Sequence, residues 1–488
     1  MKKTILASAF IVVYSLTGSA FAQEEPSMEN CYGATGCQEM NQYDTWTSTS
    51  GKIYYTVDGN KMTIYGATSK DNQGNTGNQI VKYQFANNKN LSGITEIKFA
   101  GNHDYTIDNL AFQNASNITS VDLGGMQTVN GFSRATNLKN ATLTNVHEIA
   151  AGAFEFTSLE SLNLKDVQTI GSSAFEGTPL KSVNLENIGT IDSRAFSSNY
   201  GGNLNNLENV TLKNVDSIGA SAFSGATVTN LTLENVDTIG DRAFQNLKNV
   251  ETLNLTNIQN MDTAAFSSAK ITTVNLKDMD TVSGFYYANI ENVNLENVKK
   301  IGDGCFNNVK GLKSVDLNGV EEIGGSAFYG SSLESIDLTG VKKIGSYAFQ
   351  STTNLTDLVF SDSLESAGTN AFYNVKPTNL TINSDKINMF LNAGGSFQNI
   401  ENIYCSNGAD ACKEYLSQKY KNYPDYLASL LAKVKDAPVK AKEEKMADGS
   451  IKMYQNGKFI GWKNKRIYTV QEANEVAGRK NKVMIRYK

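Results

Sequence analysis

The sequence predicts an α/β repeat solenoid, a stack of about 13 units of ~21 residues with a parallel β-sheet on one face. Three observations predict it. The first is a column of aromatics: Phe112, Phe132, Phe154, Phe175, Phe196, Phe223, Phe244, Phe266, Phe285, Phe306, Phe328, Phe349 and Phe372 follow one another at steps of 19 to 23 residues, with one step of 27. The second is a short alternation ahead of each Phe, as in Leu159-x-x-Leu162-x-Leu164, Leu180-x-x-Val183-x-Leu185, Val250-x-x-Leu253-x-Leu255 and Leu333-x-x-Ile336-x-Leu338. Its last three residues read apolar, polar, apolar, which is a strand with one face inward. The third is a turn position two residues later, held by Asn145, Asp166, Asn187, Asn214, Asn235, Asn257, Asp278, Asn297, Gly319 and Gly340. These residue types best tolerate left-handed backbone.

One such unit cannot bury its apolar face alone, but stacked neighbours bury it for each other. Composition agrees. A chain of 488 residues suggests roughly three domains at ~150 residues each. Yet only 5 Pro and 2 Trp, beside 40 Gly and abundant Asn, Ser and Thr, favour a few short elements repeated many times. The 27-residue step marks an insertion near Asn199 to Asn206.

The elements follow in order. Residues 1–22 read as a signal peptide: Met1-Lys2-Lys3 is positive, Ile5 to Leu16 is mostly apolar, and Ala20-Phe21-Ala22 precedes cleavage before Gln23. The alternative, an anchor helix, suits the stretch less well because it is short. No other apolar run is long enough to cross a membrane, so the mature chain is expected to lack a transmembrane helix and to be secreted, at the cell surface or periplasmic. Residues 23–91 form an N-terminal cap region, in which Asp58-Gly59-Asn60 predicts a hairpin turn. Residues 92–400 are the repeat array. Residues 401–435 form a helical cap, with helices expected from Asp410 to Tyr420 and from Pro424. Residues 436–447 read as a linker. Residues 448–488 read as a small basic ββαβ-like module, with Asn456-Gly457 as a second hairpin turn.

Cysteine usage suits an oxidising compartment. Cys31 with Cys37, and Cys405 with Cys412, each close a small loop as a disulfide; a zinc site is the weaker alternative at this wide separation. Cys305 occupies the Ala position before Phe306 and reads as a small buried thiol.

The repeated residues, apolar-x-x-Val-x-Leu, then Asn or Gly, then Ile-Gly-x-x-Ala-Phe, resemble the BspA-like leucine-rich repeats of bacterial surface and secreted proteins. The resemblance covers about residues 92–400. Gly51 to Gly66 is similar to the leader of such proteins, and the C-terminal end is similar to that of some exported gut-bacterial repeat proteins. Gly131-Phe132, Gly284-Phe285 and Ala367-Gly368 depart from the pattern. The resemblance implies a surface or secreted protein used in adhesion, host contact or other protein binding.

Chemistry is sparse. With 2 His, His103 and His147, and 5 Cys, no nucleophilic or metal-binding constellation can be assembled. The chain is therefore expected not to be an enzyme and to need no cofactor or metal. Asp316 and Asp337 share a strand column, which is unlike the paired carboxylates that a glycosidase sets across a cleft. A carbohydrate-active enzyme is only a remote alternative.

The polar strand residues Asn163, Asn184, Thr211, Thr232, Asn254, Asn275, Asn294, Asp316 and Asp337 are the candidate binding face, weighed against a solvated sheet of Asn and Thr ladders. Tyr286, Tyr329 and Tyr373, each following the repeat Phe, are expected to form a line of exposed rings. Residues 413–488 hold 18 Lys and Arg against 8 Asp and Glu, net +10, so the remaining 26 against 41 is net −15. The basic end could contact an anionic envelope, the alternative being a solvated face. Nucleic acid is not an expected partner. The expected function is adhesin-like binding of a protein or glycan at the cell surface, by a monomer, through the extended repeat surface. The alternative is a spacer that displays the basic module.

Overall fold

The computed structural model describes residues 38–44, 49–70, 76–77, 79–80, 92–100, 106–198, 207–436, 442–445, 451–455 and 458–463. The expected signal peptide, the Cys31–Cys37 pair, His103, the insertion and the end of the basic module lie outside the described residues. The chain divides into two compact units, residues 1–298 with 309–311, and residues 299–308 with 312–488.

The first unit opens on three antiparallel strands, β1 (Gln38–Asp44), β2 (Thr49–Asp58) and β3 (Lys61–Lys70). Gly59 supplies the positive φ, 58°, that the β2–β3 turn requires. β3 then runs parallel to Glu96–Phe99, pairing Met62 with Ile97 and Ile64 with Phe99. The cap thus covers the first coil by extending the same sheet, and Ile53, Met62 and Ile64 become fully buried.

Further along, Ser182–Ile191, Asn209–Ile218, Asn230–Ile239, Val250–Met261, Lys270–Lys277 and Asn289–Glu296 form a parallel ladder. Like faces like in this register: Val183, Val210, Leu231, Leu253, Val274 and Val293 form one buried row. The expected turn residues bend each strand. Asn187, Asn214, Asn235 and Asn257 have φ of 51° to 59° inside otherwise extended segments. That single left-handed residue turns the chain so that Leu185 before it and Ile188 after it both point inward. Nine of the ten named positions are left-handed; Asp166 is the exception, and its carboxylate instead accepts the Asn145 N–H at 3.2 Å.

On the far side of each coil the Phe rings stack. In the first unit, successive centroids from Phe112 to Phe285 lie 4.6–5.7 Å apart with planes within 17° of parallel. The spacing tracks that of strands in a sheet. Phe196 and Phe223 keep it at 5.0 Å although the insertion separates them in sequence. The side opposite the sheet is built of tight turns, and the described helices lie only toward the C-terminus. Such turns need further left-handed residues that the repeat pattern does not advertise. They fall two before the Phe, as at Arg194 and Arg242, or two after it, as at Asn246 and Tyr287. In the departing coils, Gly131 and Gly284 take that role one residue before the Phe, with φ of 95° and 101°.

The second unit repeats the arrangement with Phe306, Phe328, Phe349 and Phe372, whose neighbouring centroids are 5.3–5.5 Å apart. Cys305 is a buried thiol beside Phe306, outside the disulfide. Parallel strands Ser335–Asp337, Asp357–Val359, Asn379–Ile382, Asn402–Cys405 and Val434–Asp436 carry the sheet to its last strand. Three helices accompany it: α1 (Ile387–Asn392), α2 (Ala409–Lys419) and α3 (Pro424–Leu431). A disulfide joins Cys405, at a strand end, to Cys412 in α2. Strands Lys442–Lys445, Ile451–Gln455 and Lys458–Lys463 form an antiparallel sheet. Within the stretch expected as a linker, Lys442–Lys445 pairs antiparallel with Ile451–Gln455 as a strand of this terminal sheet.

Two stability measurements test the packing. Phe244→Ala empties a fully buried site between two rings and is expected to cost ~3–5 kcal/mol in urea unfolding. Ser267 buries a hydroxyl without a hydrogen-bond partner. Ser267→Ala is expected to leave stability unchanged or raise it by about 1 kcal/mol, since an unsatisfied buried group carries a desolvation cost.

Candidate functional site

The strand face comes first because the sequence singled it out. In the first unit Asn184, Thr211, Thr232, Asn254, Asn275 and Asn294 occupy one in-register row. Part of the row bonds to itself. Asn275 donates from Nδ2 to Asn254 Oδ1 at 2.8 Å, and Asn294 donates to Asn275 Oδ1 at 2.7 Å. Three other candidates serve their own turns. The side-chain oxygens of Asn163, Asp316 and Asp337 accept the backbone N–H two residues on, from Lys165, Asn318 and Thr339, at 3.1, 3.0 and 2.9 Å. These groups have local structural work whether or not a ligand is bound.

A second amide ladder runs along the turn column. Asn214 donates to Asn187, Asn235 to Asn214, and Asn257 to Asn235, at 2.8, 2.9 and 2.8 Å. Each amide is donor to one coil and acceptor from the next, which Asn can be and Asp cannot. Charged columns alternate instead. Lys213 meets Glu234 at 3.1 Å and Lys277 meets Glu296 at 2.8 Å in the first unit. In the second, Lys343 meets Glu322 at 3.1 Å, which holds the Glu322 carboxyl below the usual carboxylate range.

The aromatic candidates separate. Tyr286 is 40% exposed and packs edge-on against Tyr287, 52% exposed, with centroids 4.5 Å apart. Partial burial, followed by the neighbouring Tyr287, raises the Tyr286 hydroxyl pKa. In the second unit Tyr373 is 54% exposed and Tyr347 is 42% exposed, whereas Tyr329 is half-buried. Tyr287 and Tyr347 escaped the sequence reading because they stand two residues from the Phe. Their left-handed backbone, φ 58° and 62°, marks those positions only in the structure.

A hollow of about 420 Å³ opens on the turn side of the first unit, lined in part by Arg194, Ser221 and Arg242. No sequence motif pointed to it. His147 is exposed, as its place in a turn suggested. Among the described residues no group of three or more His, Cys, Asp or Glu side chains is placed to hold a metal ion. Among them, too, no helix is long and apolar enough to cross a membrane.

Residues 78–201, 202–283 and 281–404 match the family described as the BspA type leucine rich repeat region. The chain belongs to the BspA-type leucine-rich repeat family. Among solved structures it is similar to a leucine-rich repeat protein from Bacteroides ovatus, at 18% identity over 72% of this chain and 98% of that one, with a TM-score of 0.43. It is also similar to a leucine-rich repeat protein from Eubacterium ventriosum, at 17% identity over 69% of this chain and 95% of that one, with a TM-score of 0.33. A leucine rich cell surface protein from Faecalibacterium prausnitzii matches at 16% identity over 66% of this chain and 95% of that one, with a TM-score of 0.28. No curated protein matches the chain.

For this BspA-type chain the turn ladder is separable from the turn itself. Asn235→Gly keeps the left-handed turn and loses two amide contacts; Asn235→Val loses both. Thermal or urea unfolding is expected to show Val more destabilising than Gly by about 1–2 kcal/mol, the cost of a branched side chain in left-handed backbone.

Proposed function

We propose that this is a non-catalytic, exported repeat protein that binds a protein partner at the cell surface through its coil surface. The observation that carries the reading is the exposed Tyr286–Tyr287 pair. Tyrosine presents a large rigid ring and a hydroxyl, and such residues are enriched where binding energy concentrates. The BspA-type repeat array supports the reading, as does the sequence of residues 1–22, which has the form of an export signal. The basic end, net +10 over residues 413–488, is proposed to contact an anionic envelope. A second reading, a spacer that displays this end, is favoured by one observation. Asn254, Asn275 and Asn294 bond to one another along the strand face rather than presenting unused groups.

The test is a binding screen of the purified chain against a panel of purified matrix and cell-surface proteins. At least one is expected to bind, and the double variant Tyr286→Ala/Tyr287→Ala is expected to weaken that binding roughly tenfold or more. The melting midpoint should move little, because both rings are exposed. A panel without a binder, or a double variant that binds as well as the parent, would leave the spacer reading in its place.

A further inference from the structure

We propose that the hollow on the turn side of the first unit binds an anionic saccharide, a sugar carrying a carboxylate or a sulfate ester. The proposal is independent of the tyrosine pair.

The repeat explains why the hollow exists. Arg194, Ser221 and Arg242 hold the same place in three successive coils, each two residues before the core rings Phe196, Phe223 and Phe244. Neighbouring coils lie ~4.8 Å apart, so the two arginines flank the middle coil at a backbone separation of about 10 Å. The middle coil carries only small groups there. Ser221 stands between the arginines, and Gly225 follows, with φ of 75°. A Cβ on Gly225 would fall 2.2 Å from the Ser198 hydroxyl oxygen, so a larger residue there would have to displace that side chain. The result is a gap of about 420 Å³ between two long cationic side chains. That volume lies within the ~300–1,000 Å³ typical of small-ligand sites.

The chemistry of the lining narrows the ligand. Arg194, Arg242, Ser197, Ser221, Ser224 and Gln245 line the hollow, and among the described residues each side chain facing it is polar or absent. Arginine presents a planar fork of donors that fits carboxylate and sulfate oxygens in pairs. The serine hydroxyls and the amide suit a ligand dense in hydroxyls. Among the described residues no apolar side chain lines it to take a nucleobase or an aliphatic group. Both arginines are also braced. The Arg194 guanidinium meets Glu176 Oε1 at 2.8 Å, and the Glu176 side chain is only 6% exposed. Arg242 meets Asp241 at 2.7 Å. Neither carboxylate is among the described residues that line the hollow, so the charged groups facing it are the two guanidiniums. Each arginine moreover sits in left-handed backbone, φ 60° and 53°, a conformation that costs a branched or long residue ~1–2 kcal/mol.

The test uses the full chain and three probes by isothermal titration: 3′-sialyllactose for the carboxylate, galactose 6-sulfate for the sulfate ester, and lactose as the neutral control. At least one acidic probe is expected to bind, which also tells the two sources of charge apart, and lactose is not. Arg242→Gln is expected to weaken acidic binding roughly tenfold or more, the loss of one charge-assisted contact. Because Arg242 is exposed, its melting midpoint should stay close to that of the parent. Arg194→Gln leaves the buried Glu176 without this partner and serves as the second variant only if it remains folded. Binding of lactose equal to that of the acidic probes, failure of both acidic probes to bind, or undiminished binding by Arg242→Gln would each overturn the proposal.

Discussion

Everything in this molecule depends on one translation. Backbone hydrogen bonds between coils fix their separation at the spacing of strands in a sheet, about 4.8 Å. At that distance each side chain meets the residue that holds the same place in the next coil. The chain therefore has to choose, for every column, a residue that packs well against its own kind. Phe meets the condition by offset stacking, and branched aliphatics meet it in the buried rows. Asn meets it because its amide is both donor and acceptor. A charge does not meet it, and the charged columns alternate accordingly, with Lys213 against Glu234 and Lys343 against Glu322. Ring stacking is a result of this spacing rather than its cause: the centroids sit near 5 Å because the backbones do.

The same translation decides what could be read in advance. The core was legible because burial imposes a repeating residue type, so Phe, Leu and Val announce themselves by period alone. The main bend was legible because left-handed backbone favours Asn and Gly. The remaining bends were not, because the coils meet them with Arg, Ser, Tyr and Phe, as at Arg134, Phe156, Ser173 and Tyr347. Propensity says nothing at such positions when packing on both sides enforces the conformation. The cap was read as a hairpin but its manner of closure was not, since the pairing of β3 with Glu96–Phe99 joins segments far apart in sequence.

The candidate surface shows a similar division. Six of the strand residues named from spacing share one in-register row, and the uses of the candidate groups differ from one coil to the next. Asn275 bonds along the row, whereas Asn163 folds back on its own turn. The hollow could not be read at all from a search for repetition. It arises where a column breaks its habit, long at Arg194, short at Ser221 and long again at Arg242. In a solenoid the scaffold is written in what recurs, and places for a ligand are written in what does not.

The insertion between Phe196 and Phe223 has a consequence for assembly. A chain of near-identical coils offers many nearly equivalent pairings, and a slip by one whole coil would still match Leu to Leu and Asn to Asn. Such slipped states would compete during folding. The Phe196 and Phe223 rings keep a spacing of 5.0 Å although 27 residues separate them in sequence. A slip by one coil would set the 27-residue step against a step of about 21, and the columns beyond it would no longer match. A step of unequal length makes a slipped pairing differ from the native one.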